Sequence, residues 1–332
     1  MPQLAAGLGI SLEVLWVEKV DEMKVAIISG SDKNYFPLLI EMVQSVRSFP
    51  ESRKVDICIM DVGLTPDQKE KLGPDVTQIV SPDWPAGIPE AKTKGKDYLK
   101  ACVCRPFIPQ MFPGYDVYLW MDCDTWVQDW FAVEMFVRSA SKGDRLAITN
   151  GADRSYPKSL RISWIWRWPI KIRSFYNSNG KKAFGWATAK KLIPHYVLSA
   201  ACFAMSANAP HWKRWQEIIV GAAGRGKIFP AEQLSLGKLV HLEGYKAEYL
   251  SASAMWQCQH KPFWNKEYEA FVEPNEPYAK LGILHLSGVD EIRADRSVTI
   301  DLECTDGSYV SSNYRYPRFD GGRLMTFSPE RV

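Results

Sequence analysis

Apolar runs and amphipathic stretches alternate along the first 150 residues of the chain. Runs such as Val25-Ala26-Ile27-Ile28 and Val117-Tyr118-Leu119-Trp120-Met121 carry almost no polar side chain. Strands buried on both faces of a sheet have this texture. The pattern predicts strands near 24–29, 55–61, 76–80, 115–122 and 145–149, and helices near 35–48, 66–72, 93–104 and 129–141. Thr65-Pro66-Asp67-Gln68 has the form of a helix N-cap followed by proline at the first helical position. This βαβ rhythm predicts an α/β fold with a mostly parallel central sheet flanked by helices, and ligands at the carboxyl ends of its strands.

The texture changes after Asn150. From Arg154 to Gln216 there is no Asp or Glu, while lysines and arginines accumulate among Trp164, Trp166, Trp168, Trp186, Trp212 and Trp215. One reading is a solvated loop and helix whose tryptophans fold into the core. The other is an acceptor face, in which Trp stacks on sugar rings or sits at a lipid interface while Lys and Arg attract phosphates. Single-stranded nucleic acid ranks below both, because nothing else in the chain supports it. Beyond the insertion, 199–205 reads as a buried strand, 211–220 and 231–239 as helices, and 281–285 as a last core strand. The tail from Asp301 is polar, Tyr-rich and without a readable element.

Composition narrows the class without naming a function. At 332 residues, 46% hydrophobic and 24% charged, the chain has ordinary globular values, and a formal charge of +3 is too small to argue for nucleic acid. Seven cysteines without a CxxC pair read as reduced thiols of a cytosolic protein. No apolar run is long enough to span a bilayer. Residues 1–22 lack a basic n-region and read as a loose arm or a misassigned start before Met23.

Asp122-Cys123-Asp124 ends the most apolar run of the chain. Residues i and i+2 of an extended chain point the same way, so the two carboxylates converge. Like charges so placed call for a cation, and a divalent metal holding a diphosphate satisfies that need. His285 ends the run Leu281-Gly282-Ile283-Leu284. A lone histidine there is ordinarily structural, but the carboxylate pair gives it a role as third ligand. Other motifs fail. Gly221 to Lys227 has phosphate-loop spacing but follows a helical pattern and ends in Ile228, which fits a glycine-rich helix exit. Neither Gly-x-Gly-x-x-Gly nor Gly-x-Ser-x-Gly is present, which argues against a dinucleotide oxidoreductase and an α/β-hydrolase.

Taken together these residues resemble the GT-A glycosyltransferases, most closely the family 8 retaining enzymes that use UDP-sugars, over about residues 24–290. Ser29 to Tyr35 is similar to the family's first loop, Ile59 to Thr65 to its second strand and turn, and Tyr118 to Thr125 to its metal motif. Glu232-Gln233 and His285-Leu286-Ser287-Gly288 resemble two further family motifs. Two positions depart: Ser199-Ala200-Ala201 stands where the family has Asn-Ala-Gly, and Glu291 where it has a lysine that grips the diphosphate. Arg293 or a lysine of the basic stretch is the available substitute.

The resemblance implies a GT-A domain over 23–290, with a nucleotide-sugar half at 23–150 and an acceptor half at 151–290. The acceptor half carries the basic insertion at about 154–195, and 291–332 form a C-terminal extension. It implies Mn²⁺ or Mg²⁺ on Asp122, Asp124 and His285. Asp32, Tyr35, Arg105 and Asp122 would hold the UDP-sugar, with Gln233 and Glu232 at the reacting carbon. A glycan or lipid-linked acceptor and peripheral contact with an anionic membrane through 154–191 are the expected partners, on the cytoplasmic side. The competing readings are an inverting GT-A transferase using Asp153 or Glu232 as base, and a catalytically weak carbohydrate- or lipid-binding relative.

Overall fold

The computed structural model describes residues 23–156, 161–316, 319–320 and 323–324. The expectations for residues 1–22, and for those parts of the insertion and of the C-terminal extension at 157–160, 317–318, 321–322 and 325–332, lie outside them. A seven-stranded sheet runs in the spatial order Ala247–Leu250, Leu146–Asn150, Leu198–Ser206, Val117–Met121, Val25–Ser31, Val55–Asp61, Gln78–Val80. All neighbours pair in parallel except Leu198–Ser206, which runs antiparallel to both strands beside it. Every residue of Val25–Ser31 and Val117–Met121 is buried, so these two strands form the middle of the sheet with both faces covered.

Each face has its own core. On one side Leu39, Met42, Val43 and Val46 of the helix Phe36–Arg47 join Val133, Phe136 and Val137 of the helix Phe131–Ala140. On the other, Trp212, Trp215 and Ile219 of the helix His211–Arg225 pack with Leu234, Leu236 and Leu239 of the helix Ala231–His241. The apolar positions recur at helical spacing in all four, which is why one stripe of each faces the sheet.

The central elements fall where the hydrophobic pattern puts them. The helix Pro66–Leu72 begins with the expected cap: Thr65 accepts from the Gln68 amide and the Gln68 side chain accepts from the Thr65 amide. Gly221 and Gly224 sit in the last turns of the helix His211–Arg225, so the glycine-rich stretch is a helix exit. The helix expected at 93–104 is a correction. Glu90–Thr93, Asp97–Leu99, Lys100–Val103, Arg105–Phe107 and Ile108–Met111 are separate short turns. Gly95 at φ +71° breaks the run inside 93–104, and Pro106 just beyond it withholds an amide hydrogen that a longer helix would need.

Of a second, three-stranded sheet the periodicity marks only the strand near 281–285. Thr125–Val127, immediately after Asp124, pairs antiparallel with Ile283–His285, which pairs in parallel with Met255–Gln257. Gln128 locks the junction: its amide nitrogen donates to the carbonyls of Phe271 and Leu281, and its amide oxygen accepts from the Phe271 N–H. The unplaced tail forms a hairpin, Ile300–Glu303 with Tyr309–Ser312. Beyond it Arg315 is buried and makes a two-pronged ion pair with Glu41 of the helix Phe36–Arg47.

Candidate active site

Asp122 and Asp124 leave the carboxyl end of the strand Val117–Met121, at the middle of the sheet. The Asp122 amide donates to the Ala201 carbonyl of the neighbouring strand, fixing where the chain turns away. The Thr125 amide and hydroxyl both bond back to the Asp122 carbonyl, so the turn that presents the two carboxylates is tied at each end. His285 arrives opposite Thr125 in the three-stranded sheet. One donor atom from each of Asp122, Asp124 and His285 lies within 4.8 Å of the others. His285 Nε2 is 3.5 Å from Asp124 Oδ1, while its Nδ1 is buried with no partner among the described residues.

Two carboxylates and one imidazole suit Mn²⁺, and Mg²⁺ where water and phosphate oxygens complete the shell. The converged donors and the unpartnered ring nitrogen therefore fit a hard divalent cation. Burial opposes ionisation of Asp124, yet His285 and Arg293 together hold its carboxyl below the usual carboxylate range. Burial, with Asp124 beside it, pushes Asp122 up against the pull of Arg105. Burial also disfavours the charged ring of His285, but the two aspartates outweigh it and raise its pKa. The pair thus carries charge that a cation stabilises.

Arg105 meets this centre through Asp122. Its guanidinium is buried and donates from Nη2 to Asp122 Oδ1 at 2.8 Å, from Nη1 to the Ala200 carbonyl at 2.6 Å, and from Nε to the Ala101 carbonyl at 2.8 Å. It also lies over the Trp120 ring, 4.4 Å from the centroid. The indole N–H of Trp120 donates to the same Asp122 oxygen at 2.7 Å. The hydrophobic pattern shows Trp120 only as core, so its second role as a donor to Asp122 has no sequence signal.

Glu232 and Gln233 open the helix Ala231–His241. Gln233 donates its amide to the Leu198 carbonyl, two residues from the carbonyl that Arg105 holds, so both side chains attach to the start of one strand. Glu232 is buried within the fields of Arg105 and Asp122, and its Oε2 has no partner. Burial raises it to about 8. A carboxyl in that state is a neutral acid at neutral pH.

Asp32 and Tyr35 occupy the loop after the first strand. Asp32 Oδ1 accepts from the amides of Asn34 and Tyr35, and Oδ2 from the Asn34 side chain, so the carboxylate shapes its own loop. The exposed Tyr35 ring is close enough to Arg293 and Asp124 to feel both charges. Tyr35, Asp124 and Arg293 therefore lie near one another at the carboxyl edge of the sheet.

Arg293, one of the substitutes expected for the missing lysine, reaches Asp124. Its Nη1 is 2.9 Å from Asp124 Oδ2, and it pairs with Asp290 as well. Glu291, at the position where the family has lysine, is exposed. In the helix Asp290–Ala294 residues 290 and 293 share one face, and Arg293 pairs with both Asp290 and Asp124.

Residues 26–133 match the model of glycosyl transferase family 8. That segment is similar to the family over its own length, and the chain as a whole shares a fold with solved glycosyltransferases. The matched segment holds Asp32, Tyr35, Arg105, Asp122 and Asp124, whereas Glu232, Gln233 and His285 lie outside it. No curated protein matches the chain. Among solved structures, the apo WbbM bifunctional glycosyltransferase superposes with a TM-score of 0.50 at 15% identity, over 80% of this chain and 46% of its own. The chain thus spans less than half of that bifunctional protein. The galactosyltransferase LgtC, solved with donor and acceptor sugar analogues, gives a TM-score of 0.48 at 14% identity, over 79% of this chain and 87% of its own. The seven-stranded α/β architecture is the GT-A fold.

Proposed function

We propose that the chain is a Mn²⁺- or Mg²⁺-dependent transferase that moves a hexose from a UDP-sugar to a hydroxyl of a glycan or lipid-linked acceptor, with retention of configuration. The observation that carries this reading is the meeting of Asp122, Asp124 and His285 at one point, at the strand end of a family 8-like chain. Asp124 and His285 would hold the metal, and Asp122 the metal and the ribose. A divalent ion bound there supplies Lewis-acid stabilisation for the diphosphate leaving group.

The protein's own groups do the rest. Arg105 keeps Asp122 ionised and oriented through a charge-assisted bond. Tyr35 offers an exposed ring for the uracil to stack on, and the Asp32 loop fixes where that ring stands. Gln233 is a poor nucleophile, which favours attack from the leaving-group face with Gln233 supporting the cationic sugar. Glu232, held neutral by burial, offers a hydrogen-bond donor to sugar oxygens rather than a nucleophilic carboxylate.

The test is a donor screen. Purified protein with manganese and a panel of nucleotide sugars should release UDP from one donor, and Asp124→Ala should abolish the release. Proton NMR of the product's anomeric centre should show retention. Metal-dependent turnover by the Asp124→Ala variant overturns the metal assignment. UDP binding with neither transfer nor hydrolysis would leave a binding protein on an enzyme fold.

A further inference from the structure

The segment between Asn150 and Leu198 leaves and rejoins the main sheet at the edge where Asp122 and Asp124 stand. Its strands Arg161–Ile165 and Trp168–Arg173 form an antiparallel hairpin that turns at Trp166-Arg167. Trp166 is 95% exposed, Trp168 77% and Ile165 56%. An indole carries a large apolar surface, and leaving two in water at one tip is costly unless something covers them. Trp166 also adopts φ +56°, a conformation that non-glycine residues rarely take.

Behind the hairpin lies a basic platform. The single turn Tyr176–Gly180 touches the strand Trp168–Arg173 and carries the short helices Lys181–Phe184 and Trp186–Leu192. Lys181, Lys182, Lys190 and Lys191 on these helices are all exposed. Lys181 Nζ sits 4.2 Å from the centre of the half-exposed Trp186 ring. Arg225 Nε donates to the Ala183 carbonyl at 2.9 Å, which brings exposed Lys227 and the 70% exposed Phe229 alongside. Not one carboxylate interrupts the chain from Arg154 to Gln216.

We propose that this insertion docks the protein on an anionic phospholipid surface, with the Trp166 and Trp168 indoles in the headgroup interface and the lysines against lipid phosphates. Exposed aromatics joined to lysines, without carboxylates, match that surface. A glycan would be held in a concavity by carboxylates and amides that accept from its hydroxyls, and the hairpin tip offers neither. Single-stranded nucleic acid is tracked by a groove lined with ring faces, not by a two-residue turn. Because the insertion shares an edge with Asp122 and Asp124, docking would turn the candidate site toward the bilayer, where a lipid-linked acceptor resides. The docking itself stands on the surface alone and holds whether or not the donor reading does.

Vesicle flotation of the full chain tests it. Vesicles of phosphatidylcholine with a quarter phosphatidylglycerol should carry the protein, and phosphatidylcholine alone should carry little. Trp166→Ala/Trp168→Ala and Lys181→Glu/Lys182→Glu should each lose the association. Each basic residue near an anionic surface is worth about fivefold in partitioning, so the lysine pair should cost about 25-fold or more. Unchanged thermal transitions would show that both variants fold, as expected for exposed side chains. Flotation with neither vesicle, equal flotation of the variants, or binding of oligothymidine that vesicles do not compete away overturns the proposal.

Discussion

Arg293 Nη1 lies 2.9 Å from Asp124 Oδ2, bridging 169 residues of chain. A cation of the protein thus already faces the carboxylate proposed to hold a metal. Metal entry has to displace or share that pair. Arg293→Met should therefore bind Mn²⁺ more tightly in the absence of nucleotide. A hydrogen bond between charged groups is worth about 1.5–3 kcal/mol, so roughly tenfold in Kd is expected. Calorimetric titration of metal-free protein measures it, and unchanged or weaker affinity would mean that the pair survives metal binding.

Arg105 should matter to stability as much as to chemistry. Removing its side chain leaves the Asp122 carboxylate without its ion-pair partner and the Ala200 and Ala101 carbonyls without their donor. Breaking a buried pair from one side costs roughly 3–5 kcal/mol. Arg105→Ala should lower the thermal midpoint by several degrees. Arg105→Lys should recover only part, since an ammonium cannot supply three donors in the same plane.

Glu232 predicts a pH dependence. Burial raises its carboxyl from 4.5 to about 8, so across that window the folded chain keeps a proton that the unfolded chain releases. The folded state binds more protons, and stability falls as pH rises toward 8. Arg105 and Asp122, which face the group with opposite signs, set how far. Glu232→Gln should flatten that slope. Urea midpoints of both proteins across neutral pH read the difference directly, and identical slopes would exclude Glu232 as its source.

Gly282 is where the second sheet crosses the helix Phe131–Ala140. A Cβ there would stand 2.2 Å from Ala132 Cβ and 3.1 Å from Phe131 Cζ. The Gly282 carbonyl also accepts from the amides of Gln128 and Asp129, so the backbone has little room to retreat. Gly282→Ala should cost at least about 1–3 kcal/mol, as overpacking does. It should also weaken Mn²⁺ binding, because His285 lies three residues on. Normal metal affinity in a destabilised variant would separate the strand's packing from the site.

Much of this arrangement was legible where residues act locally. Continuous apolar runs marked Val25–Ser31 and Val117–Met121, and their ends marked where Asp122 and Asp124 would stand. His285 was visible for the same reason, as a polar residue closing a core strand. The antiparallel sense of Leu198–Ser206 was not, since a strand buried on both sides reads alike in either direction. Gln128 was hidden for a different reason: its partners are remote in sequence, and a single polar side chain carries no period. The segment 93–104 looked helical because its apolar residues keep helical spacing while Gly95 interrupts the backbone.

The pairing of Thr125 with His285 joins two parts of the chain made far apart in time during synthesis. Asp122 and Asp124 emerge from the ribosome early, yet their third partner arrives only after the helices of the second half have been made. A nascent or truncated chain that lacks the strand Ile283–His285 holds an exposed carboxylate pair and no closed site. Whatever chemistry the centre performs is therefore withheld until the strand Ile283–His285 has been made and paired, so on the proposed reading a bound divalent ion would report that closure.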